Sequence, residues 1–262
     1  MKIGILIPLK SKQVSKNWQT TCKSLAATIA SLENQTNKDF DYMVVGHEAP
    51  DFMMNKVWQS QVVFHSISEI APPPSVGATQ HEYTIDKNSK ITKALILLKQ
   101  RSPSIKLWFA LDADDLVHQD LINVVSQLSE PAGVILNQGY LYYPQSNRVV
   151  PTQQFSMYCG SSGMIADKYI NCPTEFSLET MKQVPFCRYS HMALDSFFNK
   201  EIKQAFVVPN KPLVTYILAH GDNISDDYRG SVIAKFKGWL KPFIKGRAPS
   251  KQFKQEFGLD LQ

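Results

Sequence analysis

Three aspartates follow an apolar run, at positions where carboxylates can bind a cation. The segment Leu107 to Val117 reads LWFALDADDLV, so Asp112, Asp114 and Asp115 come directly after residues typical of a buried strand. Like charges repel and buried carboxylates are unfavourable, so such a cluster needs neutralisation. Oxygen ligands favour Mg²⁺ or Mn²⁺. The pattern predicts a divalent-cation site, and such a metal commonly also holds phosphates, which favours a nucleotide-diphosphate ligand.

The same aspartates also admit a structural explanation. Asp114 or Asp115 could cap the helix that follows, with the others solvated. A D-x-D spacing also arises by chance, and Asp39 and Asp41 show it before a strand rather than after one. The position of Asp112 and Asp114 at the carboxyl end of an apolar strand is what favours the cation site.

The order of predicted elements indicates an α/β fold. Strand, helix, strand, strand, helix, strand is typical of a mostly parallel sheet covered by helices. The strand ends carry the polar stretches PLKSK, GHEAP, ISEIAPPP and DADD, and ligands gather at the carboxyl ends of parallel strands. The predicted strands are Ile3–Leu9, Asp41–Val45, Val62–Ile67 and Ile105–Leu111, and the predicted helices are Asn17–Asn34 and Ile91–Gln100.

The second half of the chain is less regular. The stretch CGSSGMIA is a small-residue loop entering an apolar segment, and its backbone amides could approach a ligand or form an ordinary loop. Predicted helices are Asp120–Leu128 and Tyr189–Lys200, and predicted strands are Val134–Tyr143 and the stretches AFVVP and VTYILAH, the last ending at His220.

Length and composition exclude several classes of protein. The 262 residues suit one α/β domain with an appendage, and no apolar run approaches the roughly 20 residues of a membrane span. The start MKIGILIPLK is too short for a signal peptide and holds Pro8, so we expect a strand there. No two of the four cysteines form a C-x-x-C pair. This disfavours a disulfide framework or a zinc site and indicates a reducing cytosol.

The C-terminal region is basic. Between residues 231 and 255 there are seven Lys and Arg residues and no acid, and the rest of the chain is nearly neutral, so a nucleic-acid partner is not expected. The segment could lie on an anionic membrane, pack on the body of the protein, or close over donor phosphates. Gly238 and Pro242 weaken a continuous helix. Its apolar face would consist of Phe236, Trp239, Leu240, Phe243 and Ile244.

Several stretches, taken in order, resemble a known enzyme family. IGILIPLKSK, VVGHEAP, IDKNSKITKAL, FALDADDL and HGDNIS are similar to a GT-A-type glycosyltransferase, near the inverting family 2. The specific parts of the resemblance are the D-x-D and the order of elements. It implies a GT-A-like α/β fold, with a catalytic domain over residues 1–225 and a basic appendage over 226–262. The domain would divide into a nucleotide-binding half, 1–117, and an acceptor-side half, 118–225.

The resemblance also implies an activity. It predicts a metal-dependent glycosyltransferase that uses Mn²⁺ or Mg²⁺ and moves a sugar from a UDP- or GDP-linked donor to a glycan or other hydroxyl acceptor, with inversion favoured. The usual role of the family implies an acceptor glycan under assembly at the cytoplasmic side, so we expect a cytoplasmic enzyme, and its basic C-terminal segment could give peripheral contact with the inner face of the membrane.

Residue roles follow from the resemblance. Asp112 would meet the ribose with Ala113 beside it, Asp114 would bind the metal, and Asp115 would be second to Asp114 or structural. His220 would supply a further metal ligand or a diphosphate contact. The implied nucleotide-sugar-binding residues are Pro8, Leu9, Lys10, His47, Glu48, Asp86, Lys90, Asp112 and Ala113.

Some of these roles have plain alternatives. His47 stands where family members often carry an acidic residue, so it could be a satisfied polar residue instead of a ligand. Lys90 could face solvent along its helix. His220 ends an apolar strand and precedes a tight polar turn, which favours a function.

The catalytic base is the least defined part of the site. Family 2 enzymes usually carry a Glu-Asp pair at the start of a helix in the second half, and the comparable stretch CRYSHMALDSFF has none. His191 is the first candidate because histidine titrates near neutrality, although it could equally cap the helix. Asp195, one turn later on the same face, is the second. If neither serves, the enzyme is retaining or its base lies elsewhere.

Two other functions remain open. A nucleotidyltransferase also pairs carboxylates with Mg²⁺, but its first loop is usually rich in glycine, and PLKSKQVSKNW contains none. Because the Glu-Asp pair is missing, the chain could also be a non-catalytic protein that keeps the GT-A fold and binds a nucleotide or a glycan.

Overall fold

A computed structural model describes residues 1–218 and 242–259. Within these ranges the strands are β1 (Ile3–Pro8), β2 (Phe40–Gly46), β3 (Val57–Trp58), β4 (Gln61–Val62), β5 (Phe64–Ser66), β6 (Leu107–Ala110), β7 (Leu116–Val117), β8 (Gly133–Ile135), β9 (Gly139–Tyr143), β10 (Arg148–Thr152), β11 (Gly163–Ala166) and β12 (Val214–Ile217). The helices are α1 (Trp18–Glu33), α2 (Gln80–Arg101), α3 (Leu121–Ser126), α4 (Leu178–Met181), α5 (Pro185–Arg188), α6 (Leu194–Ser196) and α7 (Lys251–Glu256).

The main sheet has six strands in the order β5-β2-β1-β6-β11-β8. Strands β5, β2, β1 and β6 run parallel to one another, and β11 is antiparallel to both β6 and β8. The mostly parallel α/β sheet predicted from the sequence is therefore confirmed. Because β8 and β11 come from beyond residue 118, the two halves predicted for the domain contribute to one sheet.

Helices cover both faces of this sheet. Ile3, Ile5 and Ile7 of β1 belong to the same buried cluster as the apolar face of α1. Leu6, on the opposite face of the strand, belongs to the cluster that contains the apolar face of α2. A strand buried on both faces needs apolar residues at every position, which explains why β1 is a continuous apolar run.

Helix α2 begins eleven residues earlier than the sequence spacing predicted. Thr79 Oγ1 accepts the backbone N–H of Glu82 at 3.2 Å, and Glu82 Oε2 accepts the N–H of Thr79 at 2.7 Å. This capping box supplies partners for backbone groups that a helix start leaves unpaired. The earlier start adds three helical turns, which carry several residues of the site described below.

The single strand predicted over Val134–Tyr143 is wrong, because the structure divides it between two sheets. β8 pairs with β11 in the main sheet, whereas β9 lies in a four-stranded sheet of order β10-β9-β12-β7. Gly139 marks the division: a Cβ atom there would lie 2.2 Å from Cδ2 of Phe155. The ring of Phe155 takes the space that a side chain at residue 139 would occupy.

The continuous helix predicted over Tyr189–Lys200 is also wrong. Tyr189 is extended, a 3₁₀ turn spans His191–Ala193, and α6 passes directly into a π-helix over Phe197–Ile202. The stretch AFVVP forms only an isolated bridge to β8 through Val207. Leu194, Phe197 and Phe198 are all buried in the core.

The C-terminal segment packs on the second sheet. Phe253 and Phe257 are buried in a cluster with residues of β7, β10 and β12, and Arg247 bridges to Val149. Phe243 and Ile244 are exposed. The other members of the predicted apolar face, Phe236, Trp239 and Leu240, lie outside the described residues, as does the predicted boundary between residues 225 and 226. Of the helices described, none has the length and apolar character needed to cross a membrane.

Replacement of Phe257 by alanine tests this packing. Phe257 is 1% exposed, and removal of a buried phenyl ring costs about 3–5 kcal/mol of unfolding free energy. We expect Phe257→Ala to lose that amount in urea denaturation. Ile244→Ala is the matched control, since Ile244 is 74% exposed and its loss should stay within about 0.5 kcal/mol. Equal losses in the two variants would contradict the packing.

Candidate functional site

A cleft of about 650 Å³ lies where β1 and β6 end. Residues after β1 (Pro8, Leu9 and Lys10) and residues after β6 (Asp112, Ala113 and Asp114) form part of its wall, and α2 forms another part. β1 and β6 run parallel in adjacent positions, so their carboxyl ends meet at one edge of the sheet. With Asp86, Lys90 and His191, the structure brings together nine of the residues predicted for the site.

Asp112 is paired with a lysine that the sequence analysis did not select. Lys87 of α2 places Nζ 2.5 Å from Asp112 Oδ1, and both residues line the cleft. Although burial opposes its charge, the carboxylates of Asp112 and Asp114 raise the pKa of Lys87. The ammonium therefore remains charged and neutralises part of the acidic cluster.

Asp115 points away from the cleft and is fully buried. Its Oδ2 accepts hydrogen bonds from the Ser161 hydroxyl at 2.5 Å and the Cys159 thiol at 3.0 Å. The Ser161 oxygen in turn accepts the backbone N–H of Asp112 at 2.8 Å. Burial, reinforced by Asp114 and Asp112, raises the pKa of Asp115 well above its ordinary value. Asp115 therefore anchors the turn that presents Asp112, and it does not line the cleft.

A buried triad lies beside the cleft. His47 Nε2 is 2.7 Å from Asp86 Oδ1, and Lys90 Nζ donates to Asp86 Oδ2 at 2.5 Å. Lys90 is 1% exposed, so the alternative that it faces solvent is wrong. Burial lowers the pKa of Lys90, and Asp86 and Glu48 oppose this effect.

Of the residues predicted to bind the nucleotide, some line the cleft and others support the residues that line it. Asp86 and Lys90 line the cleft, and His47 and Glu48 are not among its lining residues. Glu48 accepts the backbone N–H of Lys12 at 2.9 Å, which fixes the loop after β1. In this position, Glu48 supports the loop that carries Lys10.

The two candidate bases occupy different environments. His191 lines the cleft, and burial together with the charge of Lys87 lowers its pKa, opposed by Asp112. Asp195 is exposed, accepts the N–H of Ser196, and does not line the cleft. The shared helical face expected for the two residues is absent, because a 3₁₀ turn replaces that part of the helix. His220 lies outside the described residues.

The charged residues around the cleft are mixed in sign. Such a lining suits a ligand that combines an anionic group with a bound cation. The cationic residues are Lys10, Lys87, Lys90 and Arg188, and the carboxylates are Asp86, Asp112 and Asp114.

The carboxylates fit a cation only if the ligand completes its coordination. Within the described residues, no group of three His, Cys, Asp or Glu side chains could hold a metal ion. Mg²⁺ is commonly bound by one or two carboxylates together with substrate phosphates rather than by a cage of protein ligands. Asp112 and Asp114, side by side at the cleft, match that smaller set.

Sequence reasoning missed two kinds of lining residue. Tyr83 and Lys87 lie at positions i and i+4 of α2, on the same face as the predicted residue Lys90 at i+7, so the Thr79-Glu82 capping box could have revealed this face. Other missed residues include Thr21 and Ser24 of α1 and a set from α5 and the loops of the second half, where no local pattern identifies them: Tyr158, Gly160, Phe186, Cys187, Arg188, Tyr189 and Ser190.

Comparison with known proteins gives a limited likeness. No family model matches the chain, and no curated protein sequence matches it. A crystal structure of S. aureus TarS 1-349 is similar with a TM-score of 0.45 and 11% identity, over 83% of this chain and 60% of that one. A crystal structure of S. aureus TarS gives a TM-score of 0.44 and 10% identity, over 93% and 44%. This chain thus spans less than two thirds of the length of either TarS chain. Both TM-scores are below 0.5, so this similarity does not establish a function.

Replacement of Ser161 by alanine tests the network around Asp115. The change removes a donor to a buried carboxyl group and the acceptor for the Asp112 N–H, so we expect a loss of about 1–3 kcal/mol in urea denaturation. Ser162→Ala is the matched control, because Ser162 is equally buried and its hydroxyl is not part of this network. If the two variants are equally stable, Ser161 does not hold Asp112 in place.

Proposed function

We propose that this protein is a glycosyltransferase that moves a sugar from a nucleoside-diphosphate donor, UDP- or GDP-linked, to a hydroxyl group of a glycan or similar acceptor. The observation that carries the proposal is the pair Asp112 and Asp114 at the edge of a parallel sheet, in a cleft that also holds four cationic side chains. Ligand sites usually measure about 300–1,000 Å³, so the cleft of about 650 Å³ has room for a nucleotide sugar.

The arrangement of charge supports a diphosphate ligand. The lysines and Arg188 can neutralise phosphate oxygens, whereas Asp112 and Asp114 would repel them without an intervening cation. Carboxylates and phosphates share one site when a divalent ion lies between them. The proposal therefore includes Mn²⁺ or Mg²⁺ held by Asp114, with Asp112 beside it, and completed by the donor's phosphates.

Each part of the site has a task in this reaction. The bound cation would neutralise charge on the leaving diphosphate. Lys87 and Lys10 would hold the diphosphate, and Asp112 would contact both the ribose and the cation. Asp86, fixed by His47 and Lys90, would form the wall against the nucleotide. Nearby carboxylates also tolerate the positive charge that develops on the sugar.

His191 is the proposed base for inversion. It lines the cleft, and its lowered pKa keeps the imidazole neutral and able to accept the proton of the acceptor hydroxyl. Asp195 is not proposed as the base, because it is exposed and does not line the cleft. Tyr158, Tyr189 and Phe186 also line the cleft and offer apolar faces to a sugar ring.

The proposal rests on this site rather than on likeness. A cytoplasmic location and peripheral contact with a membrane are part of the same proposal. The docked C-terminal segment still presents Phe243, Ile244 and Lys245 at its surface, where such contact could occur.

Nucleotide binding tests the metal and donor parts of the proposal. We expect UDP or GDP to raise the melting temperature only when Mn²⁺ is present, with about 2.7 kcal/mol of stabilisation at 100 times the Kd. Asp114→Asn removes a charged ligand at constant size and should weaken this binding at least tenfold, about 1.4 kcal/mol. The control Asp51→Asn changes an exposed aspartate outside the cleft and should bind as wild type does.

Two outcomes would contradict this reading. A shift by neither nucleotide in the presence of Mn²⁺ would overturn the proposed function. Unchanged binding by Asp114→Asn would overturn the metal-binding role of that residue.

Replacement of His191 tests the base. We expect His191→Gln to lower kcat for sugar transfer by about 10²–10⁴-fold, with nucleotide affinity unchanged. Because the pKa of His191 is lowered from 6.5, the acid limb of the wild-type kcat profile should lie below pH 6.5 and vanish in the variant. His81→Gln, an exposed histidine outside the cleft, is the control. Nucleotide binding without transfer or donor hydrolysis in the wild type would favour a non-catalytic binding protein.

A further inference from the structure

Lys87 lies where a positive charge would otherwise be supplied by a metal ion. Its ammonium contacts Asp112 Oδ1 at 2.5 Å, inside the cleft and next to Asp114. The side chains of Lys87 and Asp112 are 44% and 25% exposed, so the pair faces solvent on one side. In the absence of a ligand, Lys87 therefore acts as the counter-ion of this carboxylate.

This pairing works against a free divalent cation. A cation that approaches Asp112 meets a carboxylate already neutralised by an ammonium, and the two positive charges repel each other. The described residues offer no third His, Cys, Asp or Glu side chain to compensate. A cation without a diphosphate is therefore bound weakly while Lys87 remains paired with Asp112.

A diphosphate changes the balance because it offers Lys87 another partner. A partly exposed ion pair contributes little to stability, so replacing it with a phosphate contact costs little free energy. Lysine suits such an exchange, since its ammonium sits on a flexible four-carbon chain. A Cβ atom at Gly160 would lie 2.8 Å from Asp112 Oδ2 and 3.2 Å from Lys87 Nζ, so the Gly160 backbone closes one side of the pair. The pair is open toward the cleft, where the phosphates would lie.

We propose that Lys87 is a positioning residue that makes the cation and the nucleoside diphosphate bind together. It occupies Asp112 until a diphosphate draws its ammonium away, and only then does the carboxylate become available to the cation. The inference rests on the proposed function and adds a binding order to it. Thermodynamic linkage requires that the nucleotide raise the affinity for the cation by the same factor as the cation raises the affinity for the nucleotide.

Lys87→Met tests the first half of the proposal, because methionine keeps much of the length and removes the charge. Mn²⁺ binding without nucleotide is measured by electron paramagnetic resonance of the free ion. We expect Lys87→Met to bind Mn²⁺ at least tenfold more tightly than wild type, and Lys87→Arg to resemble wild type. Lys182→Met is the matched control, since Lys182 forms an exposed ion pair with Glu179 outside the cleft. Equal Mn²⁺ affinity in wild type and Lys87→Met would overturn the proposal.

The second half compares coupling between the two ligands. In the wild type, UDP or GDP should raise the affinity for Mn²⁺, and in Lys87→Met this enhancement should fall at least tenfold. An undiminished enhancement in Lys87→Met would overturn the binding order while leaving the glycosyltransferase proposal intact. Binding of neither nucleotide by the wild type in the presence of Mn²⁺ would overturn both, so the two failures can be told apart.

Discussion

Three carboxylates within four residues of one another must be accommodated at the end of β6, and much of the site follows from how this is done. Asp115 turns inward, where burial raises its pKa and two hydrogen-bond donors satisfy one oxygen. Asp112 is neutralised by Lys87. Asp114 faces the cleft. Placing the three in different environments relieves a repulsion that would otherwise destabilise the turn.

The rest of the fold supplies the partners that this separation requires. Helix α2 brings Lys87 to Asp112 and, one turn later, Lys90 to Asp86. The loop before β11 brings Cys159 and Ser161 under Asp115. These partners come from both halves of the chain. The residues up to 117 and those from 118 onward are therefore linked by hydrogen bonds as well as by the shared sheet.

The electrostatic character of the cleft has a consequence for how a ligand enters it. The wall carries both carboxylates and cationic side chains, so neither a free metal ion nor a free diphosphate meets a site of a single opposite sign. A cation and a diphosphate together satisfy both sets of charges. This complementarity is what connects the observed geometry with transfer from a nucleotide sugar.

The local pattern of the chain was sufficient for much of the first half of the fold, except for the start of α2 and the strand predicted over Val62–Ile67, which the structure divides between β4 and β5 in different sheets. Continuous apolar runs predicted β1, β2 and β6, and helical spacing predicted α1, because burial on one or both faces dictates residue type position by position. The parallel arrangement then placed Pro8, Leu9, Lys10 and the D-x-D residues at one edge. The capping box of Thr79 and Glu82 also marks the start of α2 in the sequence.

Other features depended on contacts between distant residues, which only the tertiary structure could decide. The division between β8 and β9 depends on the ring of Phe155 beside Gly139. The inward turn of Asp115 depends on Ser161, forty-six positions later. The place of His191 in the cleft depends on a 3₁₀ turn where the sequence spacing predicted a continuous helix. A local pattern reports which residues prefer burial, but the partner that each charged group meets is determined by how the chain packs against itself.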